Sequence, residues 1–201
     1  MNIDLDEVGG ADAYPLLTQL VVPRPIAWVL SANPDNSFNL APFSFFNLVS
    51  SQPPMLMLSM ATKADDSPKD TLINIRERDH FVVHIPSVAL ARQVSASSAN
   101  LARGVSEIEH CGLTTQPWPA NPLPRLAQTA VAMACRRSQL LEVGDHTLII
   151  GSIHQVHIDP ELVVQDNGRM RIDAARLDPL ARLGASQYAG IAQPFSLERP
   201  Q

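Results

Sequence analysis

Two short stretches of this chain hold residue types that bind small polar molecules. The first, Ser67-Pro68-Lys69-Asp70-Thr71, opens a predicted helix over residues 68–78. The free backbone N–H groups and the positive dipole end of a helix attract phosphate, and Lys69 and Thr71 add a cation and a hydroxyl. Asp70 would repel phosphate directly, so we assign it, with Ser67, to capping the helix. The alternative for Lys69 is an ordinary solvated surface charge.

The second stretch, residues 41–47, combines three phenylalanines with Ser44 and Asn47. A flat ring with a polar edge needs an apolar surface and a few donors and acceptors along one side, and this segment offers both. Pro42 removes one backbone donor from the strand, which suits a barrel rim or a sheet edge. The alternative for the phenylalanines is core packing, and the alternation of side chains along a strand makes that true for at least one of them.

Other motifs for catalysis are missing from the sequence. It has no GxGxxG or GxxxxGKS/T loop and no GxSxG nucleophile elbow, and Cys111 and Cys135 form no CxxC or Cys/His cluster. We therefore expect two free buried thiols, no metal site and no catalytic side chain. His154 and His157 point to opposite faces of a predicted strand, so they do not suit one metal. Any difficult chemistry must then come from a bound cofactor.

Strand patterns dominate the elements that must position these stretches. Apolar or β-branched runs between turn residues predict strands at residues 25–31, 38–50, 55–60, 81–85, 126–136 and 147–158. Helices are predicted at residues 11–20, 68–78 and 87–98. Gly151 inside the last strand indicates a bulge or a close contact. Many strands and turns with few helices favour a mainly β barrel over a doubly wound sheet.

Length and composition narrow the class of protein. The 201 residues suit a single domain spanning residues 1–201. Fifteen basic and twenty acidic residues give a net charge of −5, which disfavours binding to nucleic acid or anionic membranes. No apolar run approaches the roughly 18 residues of a membrane helix, and the acidic N-terminus does not resemble a signal peptide. We therefore expect a soluble cytoplasmic protein.

Several motifs, in this order and spacing, resemble a known family. They are residues 23–28 (PRPIAW), residues 39–47 (NLAPFSFFN), Pro53-Pro54 and residues 69–71 (KDT). Together they resemble the flavin reductase-like family, which includes the flavoredoxins. Most of the resemblance lies within residues 14–86.

Later segments also fit this family, notably the strand with Gly151 and residues 177–184 (LDPLARLG) followed by Tyr188. One difference lies in the turn before Asn39, where the family often carries glycine. This chain has Asn36 there, and asparagine tolerates the left-handed backbone conformation. We therefore expect Asn36 to take the place of that glycine.

The resemblance implies an FMN-binding split β-barrel with a few short helices. The FMN phosphate would lie at the start of the predicted helix and its ring along residues 41–47, with Ser59 of the next strand also lining the pocket. The resemblance does not settle the roles of Arg24, Arg182, His154 and Tyr188. Arg182 either reaches a phosphate or a nicotinamide nucleotide, or forms a surface ion pair. The implied cofactor-binding residues are Ala41, Pro42, Phe43, Ser44, Asn47, Ser59, Lys69, Asp70 and Thr71.

The resemblance leaves two redox activities open. In the first, NAD(P)H transfers a hydride to FMN, and the reduced flavin serves an acceptor such as a partner monooxygenase. In the second, the protein is a flavoredoxin-like carrier that holds FMN and exchanges electrons with redox partner proteins. A non-redox binding barrel is a third interpretation. The family also implies a homodimer with FMN near the subunit boundary.

Overall fold

A computed structural model describes residues 1–99, 101 and 105–198 of the chain. The helices are α1 (Gly10–Leu20), α2 (Asp70–Arg78), α3 (Ala91–Ala96), α4 (Glu107–His110) and α5 (Ala174–Leu177). The strands are β1 (Arg24–Pro25), β2 (Ala27–Ala32), β3 (Phe38–Phe43), β4 (Phe46–Ser51), β5 (Pro54–Ala61), β6 (His80–Ile85), β7 (Thr115–Gln116), β8 (Arg125–Leu126), β9 (Val131–Val143), β10 (His146–Ile158), β11 (Val163–Asp166), β12 (Arg169–Ile172), β13 (Ala181–Arg182) and β14 (Tyr188–Ala189). The predicted mainly β architecture with a few short helices is confirmed.

Seven strands form one antiparallel sheet in the order β3-β2-β6-β9-β10-β5-β4. Its two outer strands, β3 and β4, follow each other in the chain and are joined only by Ser44 and Phe45. The Ser59 N–H on β5 donates a hydrogen bond to the Phe45 carbonyl at 2.9 Å. The sheet therefore curls until its two edges meet, and residues 43–46 form the seam where the barrel closes.

The barrel interior is filled by side chains from its strands and by one face of α2. Leu72 and Ile75, three residues apart on that helix, pack into the same buried cluster as Phe81. A Cβ at Gly151 would lie 2.5 Å from Phe81 Cζ, and the β9–β10 register shifts between Ile150 and Gly151. Both features expected of this glycine, a bulge and a close contact, are confirmed.

A second core covers the outer face of β2, β6 and β9, where α3, α4 and the segment around β8 pack. Trp28 is fully buried there and donates from Nε1 to Ser97 Oγ at 2.8 Å. His84 is also fully buried, with Nδ1 3.0 Å from the Trp28 carbonyl and Nε2 2.9 Å from the Leu126 N–H. Because a backbone N–H can only donate, Nε2 accepts and Nδ1–H donates, so the ring is neutral. Burial lowers the pKa of His84 to about 4.

The open edge of β3 is covered by side chains instead of another strand. Ser106 Oγ donates to the Phe38 carbonyl at 2.8 Å, and the Leu40 N–H donates to Glu107 Oε2 at 2.9 Å. Glu107 is only 8% exposed, and burial raises the pKa of its carboxyl group. These two residues satisfy backbone groups that would otherwise attract another edge strand.

The strand predicted for residues 25–31 is divided at Ile26 into β1 and β2, and three other predicted elements differ more from the observed ones. The single strand predicted for residues 38–50 is broken at Ser44 and Phe45, because the barrel closes there. The strand predicted for residues 126–136 begins at Val131 and continues to Val143, since residues 136–143 also pair with β10 in a long hairpin. The helix predicted for residues 87–98 starts as a 3-10 turn and contains only α3 as α-helix.

The structure also tests three smaller expectations. Asn36 has a φ of 66°, so it does take the left-handed conformation. Both cysteines are free, but only Cys135 is buried, whereas Cys111 is half-buried. None of the helices among the described residues is long and apolar enough to span a bilayer.

The buried neutral ring of His84 predicts a stability loss in mild acid. The unfolded chain takes up a proton at His84 below its ordinary pKa of 6.5, whereas the folded chain does so only near pH 4. Stability present above pH 6.5 is therefore lost as the pH falls toward 4, by about 3 kcal/mol from this residue. Urea unfolding across this range should show a flatter pH dependence in His84→Gln. The exposed control His110→Gln should keep the wild-type slope, and equal slopes in all three proteins would contradict the assignment.

Candidate functional site

Three cavities meet at the barrel seam, and all of them are lined by Pro42 and Phe43. The α2 cavity, about 350 Å³, lies between β3, the start of α2 and the segment after α3. The seam cavity, about 570 Å³, lies between the Ser44–Phe45 junction, β5 and the β9–β10 turn. The Arg182 cavity, about 200 Å³, lies between α1, β13 and β14. Because they share these lining residues, the three cavities together are called the groove.

The start of α2 is uncapped, which corrects the sequence-based assignment. The N-cap position is held by Lys69, and no side chain of the described residues caps the first turn. The Ser67 backbone N–H and hydroxyl both bind the Asp65 carboxylate, so Ser67 is not available as a cap. Asp70 instead pairs with Lys63 at 3.3 Å. Within the part of the chain that the structure describes, the first-turn N–H groups of α2 therefore have no side-chain acceptor.

The polar groups in the α2 cavity are held in place by the barrel. Asn39 on β3 donates to Thr71 Oγ1 at 2.8 Å, and both side chains are buried. Because the Thr71 oxygen accepts this bond, its own proton is free to donate. Lys69 is half-buried and, among the residues that the structure describes, has no carboxylate within ion-pair distance. This end of the groove therefore offers a cation, a hydroxyl and a helix N-terminus to an anion.

Aromatic rings border the seam cavity. The Phe45 ring stacks on His146 with centroids 5.5 Å apart and planes inclined by 12°, and Tyr14 lies 6.3 Å from Phe45. His146 Nδ1 lies 2.7 Å from Asp145 Oδ1, and this hydrogen bond holds the pKa of the Asp145 carboxyl below its usual range. A flat molecule can pack against these rings while Ser59 and backbone groups bind its polar edge.

Arg24 holds the seam in place rather than facing a ligand. It is 7% exposed, and its guanidinium donates to the Thr18 carbonyl, to the Val21 and Leu183 carbonyls at 2.9 Å each, and to Ser44 Oγ at 3.3 Å. One side chain thus ties the end of α1 and the segment after β13 to the barrel seam. Ser44 is positioned by this network.

Most of the predicted site residues converge on the groove. Asn47 does not, because it is exposed on β4 and its Oδ1 accepts from the neighbouring Leu48 N–H at 2.8 Å. The seam break ends β3 before that point, so β4 carries Asn47 away. The residues that do line the groove are Ala41, Pro42, Phe43, Ser44, Ser59, Lys69, Asp70 and Thr71.

Among the lining residues that the sequence did not indicate are two aromatic side chains, Tyr14 and His146. Tyr14 reaches the groove because α1 packs beside the seam. His146 reaches it because its register partner on β5 is Ala61, two residues after Ser59. The sequence gives one weak signal for His146, which directly follows the turn residues Gly144-Asp145. In the structure this is a hairpin turn, and Gly144 has a φ of 59°. His154 lies elsewhere, in a separate surface cavity beside Leu48 and Val49.

The fold is a β-barrel whose groove has a cation, a hydroxyl and a helix N-terminus at one end and aromatic rings at the other. The chain belongs to the flavin reductase-like domain family, whose model matches residues 19–172. Family membership supports a flavin-related redox function.

Solved structures agree with this family. The chain is similar to nitrilotriacetate monooxygenase component B from Bacillus cereus, with 32% identity, 98% of each chain covered and a TM-score of 0.89. It is also similar to the Pseudomonas fluorescens 2-nitrobenzoate 2-nitroreductase NbaA, with 27% identity, 100% of this chain and 96% of that chain covered, and a TM-score of 0.88. A Shewanella frigidimarina protein with the split barrel domain of flavin reductases has 18% identity, 100% of each chain covered and a TM-score of 0.85, which shows the fold alone. The predicted split-barrel fold is confirmed.

Proposed function

We propose that the protein is an FMN-dependent oxidoreductase that takes a hydride from NAD(P)H. The observation that carries this proposal is the shared floor of the α2 and seam cavities. Both are lined by Pro42, Phe43 and Lys69, so one ligand can extend from the helix N-terminus to the aromatic rings. A phosphate at one end and a flat ring at the other are the two parts of FMN that need such surroundings.

The α2 cavity is lined by two lysines and by three carboxyl groups, Asp65, Asp70 and Glu107. Asp65 accepts hydrogen bonds from Ser67, and Glu107 accepts one from the Leu40 N–H. The carboxylate of Asp70 is paired with Lys63, which offsets its charge. Lys69, the Thr71 hydroxyl and the free N–H groups of the first turn remain to bind the anion, and charge-assisted hydrogen bonds of this kind are strong. Lys69, Asp70 and Thr71 are thus the proposed phosphate site.

The ring of FMN suits the seam cavity. Pro42, Phe43 and Ser44 supply the floor, and Ala41 lines the adjoining α2 cavity. Ser59 supplies a polar group on the opposite strand, and the stacked rings of Phe45 and His146 supply a flat wall. Bound FMN supplies the hydride-accepting chemistry, and the chain's own residues position the two reactants. No acid, base or nucleophile of the chain is needed in this proposal.

The names of two similar proteins bear on the acceptor that takes electrons from the reduced flavin. One is component B of a monooxygenase and another is a nitroreductase, and both descriptions fit an oxidoreductase. We propose that the reduced flavin serves a separate acceptor, such as a partner monooxygenase.

The visible spectrum of the purified protein and its reaction with NAD(P)H test the function. We expect bound or readily added FMN and oxidation of NADH or NADPH that depends on the protein and FMN together. Rapid reduction by dithionite with only slow reduction by either nicotinamide would instead show a flavoredoxin-like carrier. Protein that takes up no FMN at micromolar concentrations would contradict both activities.

Reversing the charge at Lys69 should weaken FMN binding. In Lys69→Glu a carboxylate faces the phosphate, so we expect the FMN dissociation constant to rise at least about tenfold, which corresponds to about 1.4 kcal/mol. Titration of flavin fluorescence measures this. The matched control is Arg169→Glu, an exposed residue on β12, which should bind FMN like the wild type. Equal effects in both variants would place the phosphate elsewhere.

We also propose that the protein is a homodimer, with a second copy covering the outer face of β4. Leu48 and Val49 on this edge strand are 67% and 53% exposed, and Val156 on β10 beside them is 53% exposed. Covering this apolar face stabilises association. Sedimentation should give a dimer for the wild type and a larger monomer fraction for Leu48→Glu. A monomeric wild type at high concentration would contradict this proposal.

A further inference from the structure

The Arg182 cavity is a branch of the groove that the proposed path of FMN does not use. It lies between α1, β13 and β14, and the residues that it shares with the other two cavities are Tyr14, Pro42, Phe43, Ser44 and Ser98. Arg182 is half-buried at its wall. The guanidinium carbon of Arg182 lies 4.5 Å from the centroid of the Tyr188 ring, which holds the guanidinium in a fixed position.

The positive charge of Arg182 and of the neighbouring Arg24 is not balanced by carboxylates of the described residues. Arg24 and Arg182 are directly opposite each other on β1 and β13. Arg24 donates four hydrogen bonds to carbonyl groups and Ser44, whereas Arg182 donates to the Ala185 carbonyl. Within residues 1–99, 101 and 105–198, no carboxylate lies within 4.0 Å of either guanidinium. Two neighbouring cations without a counter-charge favour a bound anion.

The two guanidinium groups also affect each other. Burial is the main cause that lowers the pKa of Arg24, and the nearby charge of Arg182 lowers it further. An anion beside Arg182 would relieve this repulsion.

The size and walls of the cavity narrow the class of anion. Its volume of about 200 Å³ is below the range of about 300–1,000 Å³ for drug-sized ligands, so it suits a single substituted ring rather than a dinucleotide. Tyr14, Phe43 and Tyr188 give it aromatic walls, and Ser44 and Ser98 add hydroxyl groups. Aromatic walls favour a planar ligand, and the planar guanidinium matches the geometry of a carboxylate.

We propose that the Arg182 cavity binds small planar carboxylates of the benzoate class, with the carboxylate on Arg182 and the ring against the aromatic walls. The inference goes beyond the proposed function and rests on it only for the identity of the ligand in the neighbouring groove. Since the cavity shares its floor with that groove, an acid bound there lies next to the proposed position of the flavin.

Calorimetric titration with benzoate tests the proposal, on protein with and without FMN. Benzamide is the neutral probe of the same shape, and inorganic phosphate is the anion without a ring. We expect benzoate to bind with and without FMN, and benzamide to bind at least about tenfold more weakly, because the charge-assisted bond is lost. Phosphate should compete poorly, because it makes no aromatic contacts.

Variants locate the bound acid. Arg182→Gln should weaken benzoate binding at least about tenfold, Arg182→Lys should weaken it less, and the exposed control Arg169→Gln should leave it unchanged. The FMN dissociation constant should stay within about twofold in all three variants. Thermal unfolding shows that each variant is folded, and the benzoate and benzamide comparison on the wild type is independent of any variant.

Several results would overturn the inference. Equal binding of benzoate and benzamide would remove the role of charge, and equal effects of Arg182→Gln and Arg169→Gln would place the acid elsewhere. Release of FMN by benzoate, or weaker FMN binding in Arg182→Gln, would assign Arg182 to the flavin itself. Protein that binds benzoate through Arg182 but takes up no FMN would contradict the proposed function and support this inference.

Discussion

The closure of the barrel between two consecutive strands is the constraint on which the rest of the structure depends. The two edges of the seven-stranded sheet are joined by only Ser44 and Phe45, so they meet at a corner instead of forming a full ladder. Pro42, just before the corner, has no N–H to contribute to such a ladder. The backbone around the seam is therefore left open to a ligand, and all three cavities of the groove are lined by Pro42 and Phe43.

The surrounding elements hold this seam open and give it its chemical character. The inner face of α2 fills the barrel with Leu72 and Ile75, which fixes the helix so that its uncapped N-terminus lines the groove. Arg24 ties α1 and the segment after β13 to Ser44. Ser106 and Glu107 cover the free edge of β3. The same contacts that stabilise the fold thus set the positions of the polar groups in the groove.

Local sequence patterns predicted the parts of the molecule that depend on local structure. The strands followed from apolar and β-branched runs between turn residues, and Lys69 and Thr71 followed from the start of an amphipathic helix. Gly151 was predictable because a glycine inside a strand often marks a bulge or a close contact. Asn36 was predictable because few side chains tolerate its backbone conformation.

The remaining features depend on contacts between distant parts of the chain. The break between β3 and β4 arises from barrel closure, which no local pattern reveals. The sequence therefore indicated one continuous strand and placed Asn47 in the same binding site as Ser44. Ser67 donates to Asp65 instead of capping the helix, and α2 begins at Asp70 instead of the predicted residue 68. Tyr14 and His146 reach the groove only through the packing of α1 and the pairing of β10 with β5. No local pattern encodes these contacts.

The position of the cofactor in the groove is the central claim, and a crystal structure of the protein with FMN tests it most directly. We expect the phosphate within hydrogen-bond distance of the first-turn N–H groups of α2, of Lys69 Nζ and of Thr71 Oγ1, with the flat ring lying along residues 42–45. A phosphate beside Arg182, or FMN bound outside the groove, would contradict this account.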